Sequence, residues 1–137
     1  MYERIVVAFD GSDEATRALP AAAALAKKFE SEIVVVHVVE RGPGLAVEYE
    51  VESLEEAAEL VDVAVGQLKD LGVSARREIR HGLHGQVAQM LLDVAGHEGA
   101  DLIAMGSRGL GDLGGLLLGS VTHRLLHLAH IPVLVVR

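Results

Sequence analysis

The sequence contains no cysteine and few aromatic residues. The absence of cysteine excludes disulfide bonds, thiolate catalysis and cysteine-based zinc sites. Aromatic residues make up 3% of a chain that is 50% hydrophobic, so valine, leucine, isoleucine and alanine must form the core. That composition is typical of a buried parallel β-sheet that is covered by helices.

Basic residues are scarce relative to acidic ones. The chain has 12 Lys and Arg against 20 Asp and Glu, which gives a formal net charge of −8. Proteins that bind nucleic acid or anionic membranes need clustered basic side chains, so we expect neither partner. No apolar run approaches the length of a membrane span, and residues 1–137 fit one domain of ordinary size. We therefore expect a single-domain, soluble, cytoplasmic protein.

Short apolar runs alternate with amphipathic segments along the whole chain. The runs predict five strands, and apolar residues at helical spacing predict four helices between them. The predicted strands lie at 4–10, 31–40, 73–79, 101–106 and 132–137. The first predicted helix begins after Ser12 or Asp13, and the second runs from about Glu52 to Gly72. The third and fourth predicted helices cover 81–99 and 120–130. This order predicts an α/β fold, an open parallel sheet with strand order 3-2-1-4-5, right-handed crossovers and helices on both faces.

Two of these elements carry a local feature. Pro20 falls inside the first predicted helix, where we expect either a kink or a displaced helix start. Residues 73–79 alternate between apolar and polar side chains, which indicates a half-buried or edge strand.

Glycines cluster directly after the fourth predicted strand, in the segment Met105–His123. Glycine costs backbone entropy, so the cluster indicates tight turns or a close approach to the backbone. The turn Asp10-Gly11-Ser12 follows the first predicted strand in the same way. Because ligands bind to open α/β sheets outside the carboxyl ends of the strands, we expect both loops to face one crevice between the first and fourth strands.

The glycine segment contains two imperfect phosphate-binding motifs. The glycines at positions 109, 111 and 114 match G-x-G-x-x-G, but no helix obviously opens at Gly114. The stretch 114–120 resembles a P-loop but lacks the lysine that reaches the terminal phosphates. A Walker-type ATPase is therefore disfavoured.

A third spacing fits better: Gly106, two residues, Gly109, nine residues and then Gly119-Ser120. Gly106 and Gly109 would let the backbone turn tightly and approach a ligand. Gly119-Ser120 opens the last predicted helix, whose free amides and positive dipole end favour an anion. A phosphate chain could be held there without any lysine.

With these motifs the whole chain resembles the universal stress protein family. The stretches IVVAFDGSDEA, VVHVV, ADLIAMGSRG and PVLVVR look like the family's first, second, fourth and final strands with their turns. The spacing of Gly106, Gly109 and Gly119-Ser120 matches that of family members that bind ATP. The resemblance implies a nucleotide-binding regulatory protein of the stress response, and a homodimer formed through the final strand, Val133–Val136.

The resemblance also implies where the nucleotide, ATP or the related ADP or AMP, would lie. Adenine would lie against Val38 and the first turn, with Asp10 near adenine or ribose. Gly106 and Gly109 would contact ribose and phosphate, and residues 119–122 would hold the phosphates. A Mg²⁺ or Mn²⁺ ion would be bound through the phosphates rather than by protein side chains alone. The full set of implied site residues is Ala8, Phe9, Asp10, Gly11, Ser12, Val38, Met105, Gly106, Arg108, Gly109, Gly119, Ser120, Val121 and Thr122.

Some of these residues also have simpler structural roles. Asp10 can hydrogen-bond its own turn, and Ser120 can act as a plain N-cap. Arg108, the one cation inside the glycine segment, can pair with a phosphate or point into solvent. The leucine-rich insert 110–118 is expected to pack within the domain or against a partner subunit.

The histidines are interpreted as non-catalytic. His123, His127 and His130 share the last predicted helix, and we interpret them as surface or interface residues because no carboxylate completes a zinc motif. His81 and His84 are assigned to a turn before the third helix. No nucleophile and base pair is evident, so any ATP hydrolysis should be slow. The alternatives are a slow ATPase or nucleotidyl enzyme, and a protein-interaction module that needs no nucleotide.

Overall fold

The computed structural model of the chain describes residues 1–41, 53–109 and 118–137. Strands and helices alternate along these residues. In chain order they are β1 (Arg4–Ala8), α1 (Asp13–Phe29), β2 (Glu32–Arg41), α2 (Leu54–Asp70), β3 (Ser74–Leu83), α3 (Val87–Glu98), β4 (Leu102–Gly106), α4 (Ser120–Leu128) and β5 (Val133–Val136). None of the helices in these ranges is long and apolar enough to cross a membrane.

The strands form one parallel sheet in the order β3-β2-β1-β4-β5. β1 lies at its centre, since Val6 pairs with Val34 of β2 on one side and with Ile103 of β4 on the other. β3 and β5 form the two edges. The predicted α/β fold and its strand order are therefore confirmed.

Each face of the sheet carries its own hydrophobic core, because successive side chains of a strand point to opposite faces. Ile5 packs on the side of α1 and α2, together with Leu19. Val6 packs on the other side, with Leu91 of α3 and Leu125 of α4. Burying a side chain of this kind stabilises the fold by about 1.5–3 kcal/mol. Helices thus cover both faces, as the sequence predicts.

Helix α1 begins at Asp13 and continues through Pro20, so the expectation of a displaced start is wrong. Ser12 is its N-cap and accepts a hydrogen bond from Ala15 N through Oγ at 3.1 Å. Pro20 has no N–H to donate to the carbonyl of Thr16, four residues earlier. Both residues are exposed, so water can bond to that carbonyl instead.

Residues 81–83 belong to β3 and not to the third helix, which begins at Val87. β3 is longer than its alternation predicts because β2 offers 10 residues for pairing, and the register continues as far as Arg41 and Leu83. His81 therefore lies in a strand, and its assignment to a turn is wrong. β3 is an edge strand, as its alternating pattern predicts.

An ion-pair network connects the amino ends of β2 and β3 with the end of α3. Arg76 donates to Glu32 Oε1 through Nε at 2.8 Å and to Glu98 Oε2 through Nη2. The hydrogen bond from Arg76 lowers the pKa of Glu98 below its ordinary value. In return, Glu98 and Glu32 raise the pKa of Arg76. This network lies at the opposite end of the sheet from the loops that follow β1 and β4.

Candidate functional site

The loops after β1 and β4 meet at the carboxyl edge of the sheet, because the two strands pair in parallel. Asp10 Oδ1 accepts a hydrogen bond from Ser12 N at 2.9 Å, so Asp10 stabilises its own turn. A Cβ added at Gly109 would overlap Asp10 Oδ2. A side chain at position 109 would therefore displace the carboxylate of Asp10.

Gly106 and Gly11 are required for reasons of packing and backbone conformation. A Cβ at Gly106 would lie 2.7 Å from the carbonyl carbon of Glu14 and 2.8 Å from Ala15 N, in the first turn of α1. Gly11 has φ +84°, a conformation that other residues rarely adopt. The close packing of α1 on β4 thus explains Gly106 without any ligand.

The start of α4 is attached to the end of β4 by two hydrogen bonds. Gly119 N donates to Ser107 O at 2.7 Å, and the buried Thr122 Oγ1 donates to Gly106 O at 2.9 Å. Ser107 N in turn donates to Val136 O of β5 at 2.7 Å. A short stretch of backbone after β4 therefore connects β5 with α4.

Helix α4 begins with open backbone amides. Its N-cap is Gly119, which has no side chain to cap the helix, and Ser120 is the first helical residue. The helix opens where the sequence predicts, but the alternative role of Ser120 as N-cap is wrong. Among the described residues, no acceptor bonds to the amides of Ser120, Val121 or Thr122. Together with the helix dipole, these amides favour an anion.

A cavity of about 610 Å³ lies between α4, the start of α3 and the ends of β2 and β3. Its volume falls within the range of small-molecule sites, about 300–1,000 Å³. The described residues that line it are Glu40, His84, Gly85, Val87, Ala88, Ser120, Val121, His123, Arg124, His127 and Leu128. The open amide end of α4 is thus part of a concave site.

The predicted apolar site residues divide between the two faces of the sheet. Ala8, Val38, Met105 and Val121 pack with the core on the side of α3 and α4, where the cavity lies. Phe9 packs instead with the core on the side of α1 and α2. The side chain of Phe9 is therefore separated from the cavity by the sheet.

The two arginines near α4 differ in their ionic partners. Arg108 Nη2 lies 3.6 Å from Glu14 Oε1, so the cation of the glycine segment is paired within the chain. Arg124 lines the cavity, is exposed, and has no ion-pair partner among the described residues. Sequence reasoning missed Arg124, although it follows Ser120 by four positions and therefore shares its helix face.

Histidines also line the cavity. His123 and His127 are exposed, in line with their interpretation as surface residues, and they belong to its α4 wall. His84 lies in the turn between β3 and α3, as predicted, and its Nδ1 is 3.4 Å from Glu40 Oε2. Within the described ranges, no group of three or more His, Cys, Asp or Glu side chains is placed to hold a metal ion. Sequence reasoning also missed Glu40, although it placed this residue at the end of the second predicted strand.

The leucine-rich insert falls almost entirely on residues 110–117, which lie outside the described residues. The glycines at positions 111 and 114 of the two imperfect motifs lie in the same segment. Gly106 and Gly109, with which the third glycine spacing begins, and Gly119-Ser120, with which it ends, are all among the described residues.

Comparisons with known proteins agree with this fold and with the family that the sequence resembles. The model of the universal stress protein family matches residues 1–137. A universal stress protein of Thermus aquaticus, from the QAH/OAS sulfhydrylase 3′ region, is 38% identical over 138 residues, which cover 100% of each chain. The universal stress protein of Archaeoglobus fulgidus in complex with dAMP is 26% identical, with a TM-score of 0.77 over 99% of this chain and 98% of that one. A universal stress protein in complex with cAMP is 25% identical, with a TM-score of 0.72 over 99% and 97%. This chain belongs to the universal stress protein family.

Proposed function

We propose that this protein binds ATP or a related adenine nucleotide in the cavity beside α4, and that it acts as a nucleotide-dependent regulatory module of a stress response. The observation that carries the proposal is the open amide end of α4 in the cavity wall. Amides at a helix N-terminus bind phosphate without a lysine. The relatives in complex with dAMP and cAMP support an adenine nucleotide as the ligand class.

The described residues support one orientation of the nucleotide. The phosphates would bond to the amides of residues 120–122, which have no acceptor among the described residues. Adenine would lie towards Val38, on the same side of the sheet as the cavity. The backbone after β4, which bonds to Gly119 and Thr122 at the start of α4, would approach the ribose.

A divalent cation, Mg²⁺ or Mn²⁺, would be held mainly by the phosphates. Glu40 is the one carboxylate among the described residues that line the cavity. Mg²⁺ needs few protein ligands where phosphates supply the rest. The affinity of the protein for the cation should therefore depend on the nucleotide.

A slow ATPase is the second candidate function, and one pair of residues favours it. His84 and Glu40 line the cavity with Nδ1 and Oε2 3.4 Å apart, and a histidine oriented by a carboxylate can act as a general base. Phosphate release from ATP by the native protein and by Glu40→Gln distinguishes the two functions. Turnover that is lost in the variant while binding is retained indicates an ATPase, and no turnover in either protein indicates a regulatory module.

We also propose that a second copy of the chain pairs with β5. β5 is an edge strand, and each of its four residues is half-buried in the single chain. An apolar edge strand with unpaired backbone groups tends to pair with another strand. In a symmetric dimer the same edge of both copies is covered.

The first test of nucleotide binding is to denature freshly purified protein, separate the released small molecules by ion exchange, and titrate the stripped protein with ATP by calorimetry. Co-purified adenine nucleotide or saturable binding supports the proposal. No released nucleotide and no heat at about 1 mM ATP, which corresponds to a binding free energy of about −4 kcal/mol, contradict it. That result would favour the interaction module that needs no nucleotide.

A further inference from the structure

The cavity wall contains one guanidinium group that the proposed function does not use. Arg124 lines the cavity and is exposed, and within the described part of the chain its side chain has no hydrogen-bond or ion-pair partner. Arg108, by contrast, pairs with Glu14 at 3.6 Å. Among the described residues that line the cavity, Arg124 is the one arginine, and Arg108 is not part of the wall.

The position of Arg124 in α4 directs its side chain towards the open amides of the helix. Arg124 follows Ser120 by four residues, about 6 Å along the helix axis, and both line the cavity. Helical side chains point back towards the N-terminus, so each covers the surface of the preceding turn. This general direction would place the guanidinium of Arg124 over the turn that begins with Ser120.

The other ionisable side chains of the wall leave the α4 side of the cavity without negative charge. The one described carboxylate, Glu40, belongs to β2 and lies 3.4 Å from His84. The remaining ionisable residues of the wall, His123 and His127, are either neutral or positive. An anion beside α4 thus meets helix amides and a guanidinium, with no acidic side chain from α4.

We propose that Arg124 binds the phosphates beyond the first, so that the cavity selects nucleoside di- and triphosphates over the monophosphate. This inference rests on the proposed adenine nucleotide site. The amides at the start of α4 can bind one phosphate group, and a nucleoside monophosphate already supplies that group. A guanidinium binds two phosphate oxygens at once, and such charge-assisted bonds are stronger than neutral ones. Arg124 is accordingly a specificity-determining residue.

Calorimetric titration of the stripped protein with ATP, ADP and AMP tests this role. Arg124→Gln should weaken ATP binding by about tenfold or more and AMP binding by less than about twofold, because the lost bonds involve two charged partners. Arg124→Lys should recover part of the ATP affinity, since lysine keeps the charge but not the two-pronged geometry. Arg77→Gln is the matched control, because Arg77 bonds to Asp62 at 2.9 Å and 3.0 Å on the α2 side of the sheet.

The outcomes separate this inference from the nucleotide site itself. An equal loss of affinity for ATP and AMP in Arg124→Gln, or no loss for either, overturns the role of Arg124 and leaves the nucleotide site in place. A native protein that binds none of the three nucleotides overturns the nucleotide site and, with it, the role of Arg124. Thermal unfolding of Arg124→Gln should match that of the native protein, since the side chain is exposed.

Discussion

Gly109 lies against the carboxylate of Asp10 so closely that a Cβ at Gly109 would overlap Oδ2. The other oxygen of this carboxylate, Oδ1, accepts a hydrogen bond from Ser12 N at 2.9 Å, which limits its freedom to rotate away. Ser12 in turn caps α1. The side chain of Asp10 thereby contacts both its own turn and the loop after β4.

We expect Gly109→Ala to lower the free energy of unfolding by about 1 kcal/mol, because the added methyl displaces the carboxylate of Asp10 and weakens its hydrogen bond with Ser12 N. Gly96→Ala is the control, since no atom lies within 4 Å of the Cβ that it would add inside α3. Alanine at that helical position should stabilise the protein by about 1 kcal/mol. Urea denaturation measures both changes. A Gly109→Ala protein as stable as the native one would contradict the contact between the two loops.

Ser120→Glu should abolish nucleotide binding while the fold remains stable. A carboxylate in the first turn of a helix interacts favourably with its dipole, by about 0.3–1 kcal/mol, so the free energy of unfolding should not fall. The same negative charge repels phosphate and competes for the open amides of α4. Calorimetry with ATP and thermal unfolding measure the two effects.

Ala24→Glu is the control for Ser120→Glu, because it adds the same charge at an exposed position of α1. α1 lies on the opposite face of the sheet from α4. This control should bind ATP as the native protein does. Undiminished ATP affinity in Ser120→Glu would show that the phosphates do not bind at the start of α4.

Acid should weaken the fold through protonation of Glu98. Its pKa in the folded protein is lowered below the ordinary 4.5 by the hydrogen bond from Arg76, so the ionised carboxyl favours the folded state. This contribution is fully present above about pH 4.5 and is lost as the pH falls through the lower folded pKa. Because Arg76 is 42% exposed, its pair with Glu98 should contribute at most about 1 kcal/mol.

Urea denaturation of Glu98→Gln across acid and neutral pH checks this contribution. The variant should be less stable than the native protein at neutral pH, and the difference should shrink in acid. Arg77→Gln, which breaks the exposed pair with Asp62, is the control for loss of an ion pair elsewhere on β3. A stability difference between Glu98→Gln and the native protein that does not change with pH would refute the effect.

The backbone N–H and C=O groups of Val135 point away from β4, towards the open edge of the sheet. Pro132 O accepts from Ile103 N at 3.1 Å, and Val136 O accepts from Ser107 N at 2.7 Å, so the even-numbered residues of this segment bond to β4. In a parallel strand the alternate residues bond to the other side. The N–H of Val135 is therefore directed at the open edge, where a second copy would pair.

Val135→Pro should dissociate the proposed dimer and leave the chain folded. Proline removes the outward N–H and is tolerated on the outer side of an edge strand. Val135→Thr, which keeps the N–H and a β-branched side chain, is the control. Sedimentation velocity should show a slower, monomeric species for the proline variant alone. Identical sedimentation of both variants and the native protein would exclude pairing through this edge.

The position of the candidate site is predictable from the sequence because it depends on where apolar runs stop. Asp10-Gly11 ends the first run and Gly106 ends the fourth, and parallel pairing brings such ends to one edge of the sheet. The start of α4 at Gly119-Ser120 is predictable for a similar reason, since a capping position precedes a helical pattern.

The composition of the cavity wall depends on tertiary packing that local patterns do not encode. Arg108 lies 3.6 Å from Glu14, a carboxylate it shares with Arg17, because α1 packs on the end of β4. β3 extends to Leu83 only because β2 pairs with it that far, which places the turn with His84 beside Glu40. Arg124 could have been found from the sequence by counting one helical turn on from Ser120.

Ser107 donates its N–H to Val136 O and accepts from Gly119 N through its own carbonyl, both at 2.7 Å. The helix start that would bind phosphate and the strand that would meet a second copy are thus joined through one residue. A movement of Ser107 would alter the hydrogen bonds to both elements. If nucleotide binding changes the dimer dissociation constant by some factor, then dimerisation must change nucleotide affinity by the same factor, because such linkage is reciprocal. Occupancy of the cavity and the assembly state of the protein would then be thermodynamically coupled.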